Sequence, residues 1–447
     1  MRSEVDKTTP TVYPLEKKGW RFRVASHMVA AGSHGGGSTM GPVHVVGAAV
    51  IDGSGRDPSN IDITIENGRI TRLGASSAHG ERLDAEGLTM TPGLIDAHVH
   101  LGLSSPIQPH FSFQISAAEI AADIFATAGA TLDAGFTTVR DTGGIDGGVV
   151  TAIAKGKVRG PLVLSCGPVQ CQIGGHGYYG AEWEPTELWS SHHIPGLCAL
   201  SMMAGNADEL RRNVREAFRR GASFLKLCVT GGVVGAHDRL TDTQFTAEEI
   251  AVAVQEAAAR NTYVTVHAHN NEGIRNAVEA GVRCVEHGTS LDESTAALMA
   301  ARDVALVPTF AVVEQLLHDT AGAGLTESTR DRVEGVREQM TKALVAAKRA
   351  GVRIGLGSDL IGPDQGHRGK ELSLRAALET PMEALVAATR TNAEILGLSG
   401  QVGVITPGAR ADLVLWNGNP LEDPELFSDP TNAVLVIQAG RIVKDLR

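Results

Sequence analysis

Residues 94–101 read Leu-Ile-Asp-Ala-His-Val-His-Leu, an apolar run that carries two histidines two positions apart. Successive side chains of a β-strand point to opposite faces, so His98 and His100 share one face. The other face carries the aliphatic residues Ile95, Ala97, Val99 and Leu101. The run therefore predicts a strand that packs its apolar face on helices and presents two imidazoles on the opposite face.

Seven further apolar runs follow this one, and amphipathic segments separate most of them. They are TTVRDTGG (137–144), VLSCGPVQ (163–170), FLKLCVTG (224–231), YVTVHAHN (263–270), CVEHGTSL (284–291), ALVPTF (305–310) and RIGLGSD (353–359). Eight alternating strand and helix units predict an α/β protein of the (β/α)8 TIM-barrel type, spanning residues 91–404. In that fold the active site lies at the C-terminal ends of the strands.

The segments on either side of the barrel differ from it in pattern. Residues 41–90 and 405–447 contain short alternating runs broken by Gly, Asn and Asp, which indicate strands and hairpins. We expect them to form one small β-sandwich domain built from both chain ends. Residues 1–40 are expected to be disordered, and within them SHMVAAGSHGGGSTM (26–40) is rich in Gly and Ser and resembles a tag and linker.

Composition excludes several classes of protein. The 447 residues are 43% hydrophobic and 20% charged, which is typical of a globular protein. The net charge of −11 comes without any basic block, so we expect no nucleic-acid partner. There is no run of 18 apolar residues and no apolar signal-peptide core, so we expect no membrane association. Five cysteines without a metal-binding or disulfide spacing favour a reduced, cytoplasmic protein.

Four more residues with ligand chemistry fall late in the predicted strands. They are Lys226 in the fourth run, His267 in the fifth, His287 in the sixth and Asp359 in the eighth. A lysine between apolar neighbours is costly to bury unless its charge is removed or paired. Core histidines, a snorkelling lysine and a helix-capping aspartate would explain each residue singly. Six such residues at the ends of five strands favour a metal centre instead.

The chain resembles the amidohydrolase superfamily over residues 41–447. The resemblance is carried by TPGLIDAHVHL (91–101), the lysine of the fourth strand, the two single histidines and GSD (357–359). FLKLCVTGGV, GGHG (174–177), PMEALVAATRTNAEILGL and ITPGARADLVLWNGNPLED further resemble the imidazolonepropionase-like and Xaa-Pro dipeptidase-like subgroup.

The resemblance implies a binuclear metal centre. Two divalent ions, with zinc expected, would be held by His98, His100 and Asp359 and by His267 and His287. Lys226, carboxylated by CO2, would bridge them together with a hydroxide that attacks a carbonyl carbon. Asp359 would accept the proton of that hydroxide and pass it to the leaving nitrogen. The resemblance also implies a homo-oligomer.

Other residues are candidates for the substrate side. His176 follows the third strand in a glycine-rich loop and, by resemblance, contacts the substrate carbonyl or carboxylate as a catalytic residue. The loop after it concentrates aromatic residues and would either pack on its own barrel or cover an apolar substrate group. The substrate-binding candidates are His176, Tyr178, Tyr179, Trp183, His237 and His367. His269 shares the parity of His267 and is interpreted as a loop residue or a support for the metal ligands.

The leading interpretation is a hydrolase that cleaves an amide-type C–N bond of a small molecule. A dipeptidase or carboxypeptidase-like activity on N-acyl amino acids competes with hydrolysis of aryl amides, ureas or carbamates. The first requires a cation for the carboxylate, for which Arg239, Arg368 and Lys370 are candidates. A non-catalytic scaffold of the same fold is the alternative of another class. No G-x-S-x-G or P-loop motif supports serine or nucleotide chemistry.

Overall fold

The computed structural model describes residues 41–75, 79–106, 114–235, 237–318 and 327–447. The tag-like residues 1–40 lie outside this described part. Its strands are β1 (Val43–Val46), β2 (Ala49–Val50), β3 (Ser59–Asn60), β4 (Ile63–Glu66), β5 (Arg69–Leu73), β6 (Glu81–Asp84), β7 (Thr89–Pro92), β8 (Leu94–Val99), β9 (Phe136–Asp141), β10 (Gly144–Ile145), β11 (Leu162–Ser165), β12 (Val169–Gln172), β13 (Cys198–Ala199), β14 (Ser201–Ala204), β15 (Leu225–Cys228), β16 (Val264–Ala268), β17 (Cys284–His287), β18 (Ala305–Val307), β19 (Leu413–Trp416), β20 (Ala433–Gln438) and β21 (Arg441–Asp445).

The α-helices of the described part are α1 (Ala117–Asp133), α2 (Gly147–Ala154), α3 (Ala207–Arg219), α4 (Ala247–Ala258), α5 (Asn271–Ala280), α6 (Glu293–Ala301), α7 (Phe310–Leu317), α8 (Glu327–Ala350), α9 (Lys370–Leu378), α10 (Pro381–Val386) and α11 (Asn392–Ile395). Capping residues fix where several of them begin. Thr246 and Glu249, for example, form a capping box at the start of α4, which satisfies backbone donors that the first turn leaves free. Among the described helices, none combines the length and the apolar character that a membrane crossing requires.

Parallel strands alternate with helices through the middle of the chain, which confirms the α/β prediction. Strands β8, β9 and β11 form one parallel sheet, in the order β11-β9-β8. A second parallel sheet has the order β14-β12-β15-β16-β17-β18. Lys226 of β15 lies opposite Thr265 of β16, so the lysine and the histidine-bearing strands are neighbours.

The structure corrects two of the eight predicted strands. The third run divides into β11 and β12, which pair in different sheets, and Pro168 lies between them. Residues 353–359 form only one isolated bridge, between Leu306 and Ile354, instead of a strand. The segment passes so close to β8 that position 357 must be glycine, because a Cβ at Gly357 would lie 2.5 Å from the Cβ of His98. Strand β14 was not predicted.

Backbone hydrogen bonds join the two parallel sheets, directly at Ser223 and, at the other edge, through the segment 353–359. The N–H of Ser223 donates to Ser165 at 2.7 Å, and the N–H of Ala97 donates to Leu356 at 3.0 Å. These bonds bring the segment that carries Asp359 beside β8, which carries the histidines.

Strands that precede the parallel sheets pair with strands that follow them. Strand β19 pairs with β7 within a sheet of order β21-β20-β19-β7-β2-β3, and a further sheet has the order β5-β4-β1-β6. Ile63, Met90, Leu413 and Leu435 belong to one buried apolar cluster that draws on both sheets. The chain therefore closes on itself beside the parallel sheets.

Candidate metal centre

His98, His100 and Asp359 converge at one point. The Nε2 atoms of the two histidines lie 3.3 Å apart, and Asp359 Oδ1 lies 3.3 Å from His98 Nε2 and 3.2 Å from His100 Nε2. All three donor atoms lie within 4.8 Å of one another. Three nitrogen and oxygen donors at this spacing form a candidate metal site.

Local backbone structure explains how Asp359 reaches the histidines. Its N–H donates to the carbonyl of His98 at 2.8 Å, and its φ is +55°. A non-glycine residue in the left-handed region is strained, and such strain clusters at functional sites. His287 has the same feature, with a φ of +67°.

The outer nitrogens of both histidines are held by acceptors. His98 Nδ1 lies 2.8 Å from Glu286 Oε2, and His100 Nδ1 donates to the carbonyl of Gly143 at 2.8 Å. Glu286 also accepts from Arg140 at 2.6 Å and from the hydroxyl of Thr265. Such bonds fix the tautomer and leave the Nε2 lone pairs free for a metal ion.

His267, His269 and His287 form a second group of donors within 4.8 Å. His267 Nδ1 and His287 Nε2 face each other at 2.9 Å, while His287 Nδ1 bonds the hydroxyl of Thr309 at 2.8 Å. Burial, reinforced by neighbouring cationic groups, holds the pKa of His267 and of His287 well below the usual range. Both imidazoles are therefore neutral, the form that binds metal.

The sequence did not identify His269 as a member of this group. Its Nδ1 bonds Thr289 at 2.7 Å, and its ring stacks on that of His287 with centroids 4.9 Å apart. The signal was its shared parity with His267, which places both rings on the inner face of β16 and its extension.

Lys226 lies on β15, next to the strand that carries His267. Its residue is 3% exposed, and its positive charge acts on Glu286, His267 and His287. Within the described residues its Nζ makes no hydrogen bond or ion pair. An amine this buried is costly without a partner, and the role of Lys226 as a metal bridge stays a prediction.

His176 lies at the edge of the second group. Its ring stacks on that of His267 with centroids 4.4 Å apart, and its Nδ1 bonds Asp238 Oδ2 at 3.1 Å. Burial lowers the pKa of His176, but the Asp238 carboxylate outweighs burial and the net pKa is raised. The carboxylate fixes the ring and leaves Nε2 as a donor toward the site.

The aromatic loop, residues 178–189, has some aromatic side chains packed on the protein and one exposed to solvent. Tyr178 and Trp189 are buried, with ring centroids 5.2 Å apart, whereas Trp183 is 86% exposed. His237 bonds the carbonyl of Gly180 at 2.8 Å and packs near Tyr178. The ring of Tyr179 meets that of His176 edge-on with centroids 6.4 Å apart, and burial raises the pKa of its hydroxyl. Much of the loop therefore packs on the protein itself.

Three predicted residues on the last loops do not face the centre. His367 has a side chain that is 60% exposed, and it bonds the carbonyl of Ser428. Arg368 is buried and paired with Asp96, and Lys370 pairs with Glu425 on the surface. The predicted roles of Arg368 and Lys370 as carboxylate partners are therefore disfavoured, since other carboxylates already occupy both cations.

Comparisons with known proteins show which family the chain is similar to. The profile of the amidohydrolase family matches residues 89–443. An ochratoxinase of Aspergillus niger is 32% identical over 370 residues, which cover 79% of this chain and 75% of the relative.

Two solved structures are similar over most of their length. A prolidase complexed with N-methylphosphonate-L-proline has a TM-score of 0.84 and 33% identity, covering 90% of this chain and 100% of that chain. A Xaa-Pro dipeptidase with bound methionine in its active site has a TM-score of 0.78 and 28% identity, covering 90% and 100%.

Proposed function

The chain belongs to the amidohydrolase family and is a hydrolase that acts on amide C–N bonds, and from this we propose a binuclear, metal-dependent mechanism. The observation that carries the proposal is the proximity of two donor groups, which the 3.8 Å approach of Asp359 Oδ2 to His287 Nδ1 joins into one site. The buried Lys226 lies on the strand next to the one that carries His267. The non-catalytic scaffold is disfavoured because every expected ligand type is present.

The donor sets fit two divalent ions. His98, His100 and Asp359 would hold the first ion, and His267 and His287 would hold the second. Imidazole nitrogen and carboxylate oxygen are the ligands that catalytic zinc prefers. His100 and Asp359 are half-buried, so the first group is open on one side. A coordination position that remains open is what distinguishes a catalytic site from a structural one.

Lys226 completes the proposed site as a carbamate. Its neutral amine would attack CO2, forming an N–C bond and releasing one proton, and the product carries an anionic carboxylate. This reaction converts a buried amine into an anionic oxygen ligand, which the two cations would stabilise. The absence of a partner for Nζ among the described residues supports the proposal.

When bound, the two ions would lower the pKa of water and polarise the scissile carbonyl. Asp359 would then carry the proton. Its Oδ2 faces His287 at 3.8 Å while Oδ1 faces the first two histidines, so the carboxylate lies between the two donor groups. The histidines hold the pKa of Asp359 well below its usual range despite burial, which keeps it ionised and able to accept a proton. The same group would return that proton to the leaving nitrogen.

His176 would orient the substrate. Asp238 holds its Nδ1, so the opposite nitrogen is free to donate to a carbonyl or carboxylate oxygen of the substrate. The ring stacked on His267 would keep that donor at the edge of the metal centre.

We propose N-acyl amino acids as the substrate class. Two similar structures hold amino-acid groups, L-proline in a phosphonate analogue and methionine. His176 and the exposed Arg239 are the candidates for the carboxylate, since the other two cations are paired. Ochratoxin, named by the ochratoxinase relative, belongs in the same test panel.

Aryl amides, ureas and carbamates are the second candidate class. The exposed Trp183 favours them, because an indole free of packing can cover an aromatic group. Trp183→Ala should then raise KM for an aromatic substrate and spare a small aliphatic one. Equal effects on both substrates would disfavour this class.

A metal assay and a substrate panel test the proposal together. The panel comprises Xaa-Pro dipeptides, N-acyl amino acids with aliphatic and aromatic side chains, ochratoxin, anilides and phenylureas. We expect about two ions per chain, activity lost on chelation and restored by Zn²⁺, and hydrolysis confined to substrates with a free carboxylate. Full activity without metal would overturn the mechanism, and activity confined to anilides or ureas would overturn the substrate class.

The finer architecture is part of the proposal. We propose that residues 91–404 close into a (β/α)8 barrel and that residues 41–90 with 405–447 form a β-sandwich domain. Two observations support this architecture. The N–H groups of Ser223 and Ala97 donate to Ser165 and Leu356 across the gap between the parallel sheets, and one buried apolar cluster draws on both sheets outside residues 91–404.

A further inference from the structure

A fully buried carboxylate ties together the two segments that carry the first donor group. Asp96 Oδ1 accepts from the N–H of His98 at 3.1 Å and from the N–H of Ser358 at 3.0 Å. Asp96 Oδ2 accepts from the hydroxyl of Ser358 at 2.5 Å and from Arg368 Nη1 at 3.0 Å. Asp96 and Arg368 are both 0% exposed.

These bonds act on the backbone next to the candidate ligands. One bond holds the backbone of His98 itself, and two hold Ser358, which immediately precedes Asp359. The segment at Asp359 is not part of a regular ladder and has a strained φ of +55°. A strained, irregular segment keeps its conformation only where its surroundings over-determine it. The Asp96 carboxylate supplies that constraint.

A role in folding alone explains the buried Asp96–Arg368 pair less well than a role in positioning the candidate ligands. Buried ion pairs are often no better for stability than apolar residues of similar volume. The pair here also leaves Arg368 Nε buried without a hydrogen-bond partner in the described part of the chain, which adds to its cost. What the carboxylate provides, and an apolar side chain cannot, is a set of acceptors that reach both segments.

We propose that Asp96, anchored by Arg368, is a positioning residue that sets the geometry of His98 relative to Asp359 and thereby the affinity of the first metal ion. The inference rests on the proposed function, because it assumes that these residues bind an ion. The same inference gives Arg368, nine residues after Asp359, a role that does not involve the substrate, namely holding the Asp96 carboxylate.

The test compares three changes at this cluster with a matched control elsewhere. The changes are Asp96→Asn, Ser358→Ala and the double variant Asp96→Leu/Arg368→Met, which removes both charges and protects the fold. The control is Asp146→Asn, because Asp146 also accepts from two backbone N–H groups and one arginine, at Gly147, Gly196 and Arg220. Metal-free proteins are titrated with Co²⁺ and followed by visible absorption, and urea unfolding is measured in parallel.

We expect the first ion to bind about 10–100-fold more weakly in Asp96→Asn and in the double variant, and several-fold more weakly in Ser358→Ala. The second ion should bind as in the unmodified protein, and Asp146→Asn should lose stability without losing affinity for either ion. The double variant should regain stability but not affinity.

Unchanged Co²⁺ affinity in all three variants would overturn the inference. The inference would also be overturned if Asp146→Asn lost Co²⁺ affinity in the same proportion to its loss of stability as the three variants do. A wild-type protein that binds no Co²⁺, or whose affinity ignores His98→Ala, would instead overturn the proposed function on which the inference rests.

Discussion

Replacing Lys226 by methionine should separate the role of this lysine in the metal centre from any role in folding. The side chain is 3% exposed on β15, between Leu225 and Leu227, and its Nζ makes no hydrogen bond or ion pair with the described residues. A charge on this amine is therefore buried without a direct partner in the metal-free protein, and such a charge costs several kcal/mol. Methionine has a similar length and no charge.

The expected changes have opposite signs in the two states of the protein. Without metal, Lys226→Met should be neutral or more stable than the wild type, by up to about 4 kcal/mol. With metal, the variant should lose at least one ion per chain together with its activity, since no carbamate can form. Added ¹³C-bicarbonate should give a carbamate NMR signal in the wild type and none in the variant.

Lys444→Met is the matched control for the unfolding measurement. Lys444 Nζ donates to the carbonyls of Asp133 and Pro430 at 2.8 and 2.6 Å, so its loss removes two hydrogen bonds. Each is worth about 1–3 kcal/mol because the donor is charged, and this variant should be less stable. If Lys226→Met falls in urea midpoint as far as Lys444→Met, or keeps two ions and near-normal turnover, the reasoning is refuted.

Three further predictions follow from named contacts. Glu286→Gln removes the carboxylate charge shared by His98 and Arg140 and leaves a buried guanidinium without a counter-charge. Unfolding experiments should therefore show a loss of about 3–5 kcal/mol. Metal titration should show a weaker first ion, and unchanged values in both measurements would contradict the geometry. Asp359→Asn should lower kcat about 10²–10⁴-fold while circular dichroism stays native, and near-normal turnover would remove Asp359 from the mechanism. The pKa of Glu256 is lowered to about 2, chiefly by Arg215 and further by Arg211 and Arg260. Because the folded pKa lies below the unfolded value, this stability is present above about pH 4.5 and is lost as the pH falls toward 2. Glu256→Gln should therefore cost about 1–3 kcal/mol at pH 7, allowing for the exposure of the arginines, and less at pH 3; a pH-independent difference would contradict this assignment.

Local pattern was sufficient to identify the candidate ligands, whose binding of metal stays a prediction. Alternation along β8 requires His98 and His100 to share a face, and a lysine between two leucines on β15 must either pair or change its charge. Both features are properties of a few adjacent residues, so they can be identified in the sequence. The family resemblance supplied the pairing of ligands with ions, which spacing alone left open.

Long-range contacts were not accessible in this way. Glu286 meets His98 across 188 positions of sequence, and Asp96 meets Ser358 across 262. No periodicity marks which buried carboxylate bonds which ligand, because the contact depends on how the strands are ordered in the sheet. His269 was underestimated for a related reason, since its position depends on the backbone beyond the end of β16.

The sequence by itself determined the α/β class and the set of candidate ligand residues, since these depend on side-chain period and chemistry. Only the tertiary structure decided which of the remaining polar residues serve the site. It buried Arg368 against Asp96, turned His367 to the surface and split the aromatic loop between packing and exposure. The physical reason is that a charge is used by whichever partner the fold brings within hydrogen-bond distance, and that distance is set by segments far apart in the chain.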